Sequence, residues 1–199
     1  MLATASTHVR PVIPDQRPTL RLSLRDGSVA ELRPVLPDDR PLIAEGLSHM
    51  SLESRFARFG TGVDHLSNAE LDYLTRVDHV NHVAWGALVE GSPAGVGRYV
   101  RFPTQDCAEV AVTVVDEYQH RGLGRLLFDA VVASARANEI NEVCFAVQPF
   151  NDAVRGILTD VDLELDDVDG LVEARLRTSD IPPTDHDPGY VELLAAYRD

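Results

Sequence analysis

The sequence contains no lysine: all 18 of its basic residues are arginine. A phosphate-binding loop of the Walker type ends in Lys followed by Ser or Thr, so that nucleotide-hydrolysing motif is excluded. The strand lysine of protein kinases and Schiff-base chemistry on a lysine amine are excluded with it. Cysteine is scarce as well, and Cys107 and Cys144 make neither a disulfide framework nor a zinc site. No apolar run approaches the roughly 18 residues needed to span a bilayer. Met1-Leu2-Ala3-Thr4 lacks the basic and apolar regions of a signal peptide. The expectation is a soluble, cytoplasmic protein without a membrane partner. Basic charge is also in deficit: 18 basic against 32 acidic residues leave a formal net charge of −14. That balance argues against a nucleic-acid partner and favours encounter with cations.

What is present is a chain of 199 residues, 44% hydrophobic and 25% charged, enough for one fully cored domain. Residues 1–18, marked by Pro11, Pro14 and Pro18, read as a flexible arm, 19–178 as the domain and 179–199 as an acidic tail. Alternation predicts a strand from Val29 to Pro34. Pro37-Asp38-Asp39 opens a helix through about Met50, its acids placed where the helix dipole favours them. Ser51 and Ser67 start further helices, the second with the full capping-box spacing to Glu70. Strands follow at His82–Val89, Ala94–Arg101 and Ala108–Val115. Between Arg121 and about Asn138, Leu123, Leu126, Leu127, Ala130, Val131 and Ala135 describe one face of a helix. A strand (Glu142 to Val147), a helix (Asn151 to about Thr159) and a hairpin about Asp169-Gly170 complete the domain, with a short helix from Val191 to Tyr197 in the tail.

The segment Val114-Val115-Asp116-Glu117-Tyr118-Gln119-His120-Arg121-Gly122-Leu123-Gly124-Arg125 runs from a strand through a glycine-containing loop into that long helix. The first helical turn has free amides with the positive end of the dipole behind them, which suits a pyrophosphate. Gly122 and Gly124 leave room for close approach, while Arg121 and Arg125 flank the turn. A dinucleotide fingerprint is excluded because its last glycine would fall at Leu127. His120 lies in the same loop and could bond a phosphate, although a solvent-facing ring is the plainer reading.

Gln119-His120-Arg121-Gly122-Leu123-Gly124 resembles the Gln/Arg-x-x-Gly-x-Gly/Ala motif of the GNAT N-acetyltransferases. The order of elements from about Leu20 to Arg177 is similar too. The resemblance implies an α/β fold, a mixed, mostly antiparallel central sheet with helices on both faces, and acetyl-CoA as co-substrate with no metal. Ser51-Leu52-Glu53-Ser54-Arg55-Phe56-Ala57-Arg58-Phe59 and Ala108-Glu109-Val110-Ala111-Val112-Thr113-Val114 look like stretches of bacterial protein-lysine acetyltransferases. That likeness implies Glu109 as general base, backbone contacts to the cofactor's pantetheine arm from Val114 and Val115, and a contact from Asn151 to its far part. Many relatives place a Tyr about seven positions beyond Asn151 as the acid for the departing thiolate. Ile157-Leu158 stand there, so no general acid is assigned.

Residues two apart on a strand share a face, so Glu109 lies with Ala111, Thr113 and Val115. A lone carboxylate on a central strand is costly to bury without a partner. It is either paired with Arg98 or Arg101 of the neighbouring strand or poised in a cleft, where burial would favour accepting a proton from an ammonium. Cys107 and Cys144 read as inert thiols without a paired His. His79 and His82 lack the third ligand of a metal site. The acidic run from Asp160 to Asp169, alternating with Val161, Leu163 and Leu165, reads as a strand with one solvated face.

The expected reaction is acetyl transfer from acetyl-CoA to a cationic primary amine by direct attack in a ternary complex. Glu109 takes the ammonium proton and a backbone N–H near Val114 steadies the developing oxyanion. A lysine-containing protein is the first acceptor reading. A polyamine or aminoglycoside-like amine stays open, as does a non-catalytic acyl-CoA sensor, and an oligomer is compatible with the sequence.

Overall fold

The computed structural model describes residues 17–104, 107–147, 166–168 and 171–198. Eight strands are present among them: β1 (Leu20–Ser23), β2 (Val29–Pro34), β3 (His82–Val89), β4 (Ser92–Arg101), β5 (Cys107–Val114), β6 (Glu142–Val147), β7 (Asp166–Val168) and β8 (Leu171–Arg177). The described helices are α1 (Arg40–Ser48), α2 (Leu52–Phe59), α3 (Asn68–Thr75), α4 (Leu123–Ala137) and α5 (Asp187–Ala196). The strands form one sheet in the order β1-β2-β3-β4-β5-β6-β8-β7. Only β5 and β6 run parallel among the neighbouring pairs. Helices α1 and α3 cover one face and α4 the other, the α/β arrangement expected. The helix expected from Asn151 to Thr159, Asn151 itself and residues 1–16 of the arm lie outside the described residues. No described helix is long and apolar enough to cross a membrane.

Local chemistry sets most boundaries. The Ser51 hydroxyl accepts from the Ser54 amide at 3.1 Å, and Gly60 ends α2 at φ +68°. Ser67 and Glu70 close the capping box of α3, with the Ser67 amide donating to the Glu70 carboxylate at 2.7 Å. The helix expected from Pro37 is split instead. Pro37–Asp39 form a 3₁₀ turn and α1 begins at Arg40, because Pro41 has no N–H to donate and restricts the residue before it. Asp39 does not serve the dipole. It is buried in a bidentate pair with Arg33, at 2.7 and 2.6 Å, and also accepts from the Leu36 amide.

Helix α4 is buried on more than the one face its apolar spacing marks: Phe128, Asp129, Val132 and Ala133 are buried beside Leu123, Leu127, Ala130 and Val131. The cause is α5, which starts earlier than expected and packs along α4. Tyr190, Leu193 and Leu194 of α5 are buried, each contributing on the order of 2 kcal/mol by removing apolar surface from water. The Tyr190 hydroxyl donates to the Leu126 carbonyl at 3.2 Å, its ring meets Trp85 edge-on at 5.4 Å, and Arg136 pairs with Asp187 at 2.8 Å. On the sheet side α4 crosses Gly97, where an added Cβ would stand 2.9 Å from the Leu127 carbonyl oxygen.

One departure from regular sheet positions the site. β5 pairs with β4 along its length up to Val114, but with β6 only at Cys107–Glu142, Ala108–Val143 and Glu109–Cys144. Beyond Glu109 the two parallel strands part, leaving a fork whose β5 side has no strand partner among the described residues.

Candidate acyl-transfer site

Backbone alternation decides which β5 groups face the fork. The Val115 amide donates to the Ala94 carbonyl at 2.9 Å, so Thr113 and Ala111 also direct their backbone groups toward β4. Val112 and Val114 therefore direct theirs into the fork. The Val114 carbonyl accepts from the Gln119 side chain at 3.1 Å. Val115, expected beside Val114 as a backbone contact, offers neither group: its amide is held by Ala94 and its carbonyl by the Tyr118 amide at 2.9 Å. Val112 is a backbone contact that the resemblance does not name, although two-residue periodicity from Val114 points to it.

The fork leads to the loop that opens α4. Gln119 does not face outward; its amide nitrogen donates inward to the Ser54 hydroxyl at 3.2 Å and to Val114, locking α2 and β5 to the loop. Asp116 reinforces the lock, accepting from the Ser51 amide and hydroxyl at 2.9 and 2.7 Å and from the Ser54 hydroxyl at 2.9 Å. Partial burial works to raise the Asp116 carboxyl, but these bonds outweigh it and hold the group below its usual range. This is what the Ser51–Phe59 stretch does: it anchors a helix to the loop.

His120 adopts a left-handed backbone at φ +60° and is exposed; Gly122 follows at φ +91° as the N-cap of α4. Leu123 turns its side chain into the core, so only its amide remains for a ligand, followed by that of Gly124. Arg121 lies 2.8 Å from the Asp26 carboxylate and over the Tyr118 ring at 5.4 Å. Arg125 lies 2.8 Å from Asp129, whose carboxyl is pushed up by burial against the pull of that arginine. Both loop arginines thus carry a local carboxylate partner.

Glu109, Ala111 and Thr113 share the face covered by α1 and α3 with Val96, Arg98 and Val100 opposite. Glu109 is exposed, so it is not enclosed in a cleft. Among the described residues no arginine makes a close ion pair with it, and Arg101 donates instead to the Asn138 carbonyl at 2.8 Å; the charge of Glu109 nonetheless favours the charged forms of Arg98 and Arg58 from a greater distance. A cavity of about 100 Å³ lies over this face, floored by Val96, Arg98, Ala111 and Thr113 and roofed by Leu42, Ile43 and Leu47. Arg58 lines it too. Burial, then the charge of Arg98, lowers Arg58 to about 10; burial lowers Arg98 as well. His82, beside them, is pushed down to about 4 by burial and by Arg98. Cys107 and Cys144 are free, and burial together with Cys107 pushes the Cys144 thiol up to about 12, which leaves it protonated and unsuited to carrying an acyl group. Among the described residues no cluster of three His, Cys, Asp or Glu could hold a metal.

Comparison with known proteins agrees with this arrangement. Residues 48–158 match the acetyltransferase (GNAT) family. Acetyltransferase Pat of Mycolicibacterium smegmatis is 33% identical over 164 residues, covering 77% of this chain and 46% of that protein. Acetyltransferase PA5475 of Pseudomonas aeruginosa is 30% identical over 115 residues, covering 56% of this chain and 62% of that protein. The chain therefore spans between about half and three-fifths of the length of these curated relatives. Among solved structures, the GNAT domain of S. lividans PAT superposes with a TM-score of 0.75 at 28% identity, covering 80% of this chain and 96% of that one. At 16% identity, yncA of Salmonella typhimurium, solved with acetyl-CoA, shares the fold with a TM-score of 0.62, covering 78% of this chain and 98% of that one.

Proposed function

The chain belongs to the acetyltransferase (GNAT) family, and on that premise we propose that it moves an acetyl group from acetyl-CoA to a protein lysine side chain by direct attack in a ternary complex. The fork between β5 and β6, opening onto the amino end of α4, is the observation that carries this reading. Unpaired strand amides suit the amide-bearing pantetheine arm, and unpaired helix amides suit a pyrophosphate. Residues that would hold the cofactor are Val112 and Val114 through their backbone, Gly122, Leu123 and Gly124 through theirs, and Arg121 and Arg125 through charge. Gln119 acts one step removed by fixing the loop, and Asn151 is assigned by resemblance alone. When bound, acetyl-CoA supplies the activated acetyl thioester.

Glu109 takes the ammonium proton. It stands three residues from Val112 on the same strand, about 10 Å at roughly 3.3 Å per residue, so an amine lying between them is reached by the carboxylate directly or through water. The N–H of Val112 or Val114 steadies negative charge on the acyl oxygen from a fixed position in the strand. The lysine assignment is supported by the two stretches that resemble protein-lysine acetyltransferases and by the net charge of −14, which favours a cationic acceptor.

Thiol release from acetyl-CoA, measured with a lysine-containing protein extract and with a panel of polyamines and aminoglycosides, tests this function. Turnover with protein alone is the expected result. Turnover with one small amine alone replaces lysine by that amine, and acetyl-CoA binding with no turnover on any acceptor makes the chain a sensor.

A further inference from the structure

The sheet face that carries Glu109 presents two cations with no carboxylate in contact among the described residues. Arg58, near the carboxyl end of α2, lies over the Phe59 ring at 5.2 Å, and Arg98 of β4 lies over the Tyr73 ring at 5.3 Å. Among the described residues no carboxylate lies within 4.0 Å of either guanidinium. One terminal nitrogen of Arg98 is buried without a hydrogen-bond partner. Several other arginines have a carboxylate in contact, as Arg33 with Asp39, Arg121 with Asp26 and Arg136 with Asp187 show. With 32 acidic residues available, a couple beside a cavity that has no carboxylate in contact, only the more distant charge of Glu109, stands out.

A buried donor without a partner is costly, and the charge of Arg98 further disfavours the charged form of Arg58. An anion in the cavity that both line would accept from the unpartnered donor and offset the repulsion. A lone lysine ammonium does the opposite, since it brings a third positive charge to the same face. Guanidinium forks match a carboxylate with two parallel hydrogen bonds. Glu109, exposed on the same face, remains available to the amine.

We propose that Arg58 and Arg98 form a carboxylate-binding subsite, so that the preferred acceptor is an amine with a carboxylate beside it. This rests on the acetyl-transfer reading. The carboxylate comes either from an acidic residue next to the acceptor lysine in a protein or from the α-carboxyl of a free amino acid.

The test compares thiol release with three lysine peptides of equal length, flanked by Glu, by Ala or by Arg, and with free amino acids against their amides. The Glu-flanked peptide, or a free amino acid over its amide, is expected to lead by about ten-fold or more in kcat/KM. The first result assigns the carboxylate to a protein acceptor and the second to a small one. In Arg98→Gln and, independently, Arg58→Gln, that ratio falls towards one. Equal rates across flanking residues and amides overturn the proposal, as does a preference that survives in both variants. Turnover on no acceptor at all overturns the acetyl-transfer reading instead. The subsite is then judged by the Tm rise with acetylglutamate over its diamide in wild type and in Arg98→Gln, and no difference between them overturns it.

Discussion

Arg121 and Asp26, 95 residues apart in sequence, meet at 2.8 Å and join the turn between β1 and β2 to the loop that opens α4. Hydrogen bonds from Ser28, then the Arg121 charge, hold the Asp26 carboxyl below its ordinary range, so it is ionised at neutral pH. A negative charge thus sits against the cation best placed for a phosphate. Asp26→Asn is expected to tighten acetyl-CoA binding by about two- to five-fold at low ionic strength, with the gain fading as salt screens it. Titration calorimetry at two salt concentrations checks this. Weaker binding would show that Asp26 serves to orient Arg121 rather than to offset it.

Glu109→Gln is expected to retain acetyl-CoA affinity and lose about 10²- to 10⁴-fold in turnover at neutral pH, the usual contribution of a positioned base. Steady-state thiol release and an equilibrium binding measurement separate the two effects. An unchanged rate removes Glu109 from the mechanism.

Gly97→Ala should destabilise the protein by about 1–3 kcal/mol. Alanine ordinarily stabilises a strand position relative to glycine, by about 0.5–1 kcal/mol. Here the added Cβ meets the backbone oxygen of Leu127, so the close approach of α4 decides the sign. Urea denaturation measures it, and a gain in stability would mean that α4 yields freely. Acetyl-CoA affinity should fall with stability, because α4 carries the loop.

His82 ties stability to acidity. Burial and Arg98 push it from 6.5 down to about 4, so the unfolded chain binds its proton first. Its contribution is complete above about pH 6.5 and drains away as pH falls towards about 4. Burial, then the charge of Arg198, lowers His79 too, adding to the same trend. Tm measured from pH 7.5 to 4.5 should fall less steeply in His82→Gln than in wild type. Parallel slopes would assign the acid sensitivity to other groups.

The contrast between legible and illegible features follows the range of the interactions. β3 and β6 occupy the spans their alternation predicts, and Ser67 with Glu70 form the capping box their spacing predicts, because each signal is complete within a few residues. The loop from Gln119 to Arg125 was legible for the same reason. The burial of α4 on its second side was not, since it depends on α5, some 60 residues later. The place of Glu109 on a central strand left a close arginine pair and a cleft both open, and the structure shows an exposed side chain, with a cavity lining that reaches Ala111 and stops short of it. The partners of Arg121 and Arg101, Asp26 and the Asn138 carbonyl, lie too far away in sequence for any local pattern to name them. Val115 failed as a donor through the hydrogen-bond phase of the β4–β5 ladder, which depends on register rather than on residue type.

The parting of β5 from β6 also bears on how the chain avoids its own copies. A strand with unsatisfied backbone groups is ordinarily an invitation to add another strand, and outer edges of sheets are where chains aggregate. Here those groups lie in the interior of an eight-stranded sheet, with β6, β8 and β7 standing beyond them. A neighbouring molecule would have to thread an extended segment between two strands of the same sheet to reach them. The fold can therefore keep backbone amides unpaired for a narrow, flexible ligand while denying them to the much bulkier edge of another protein.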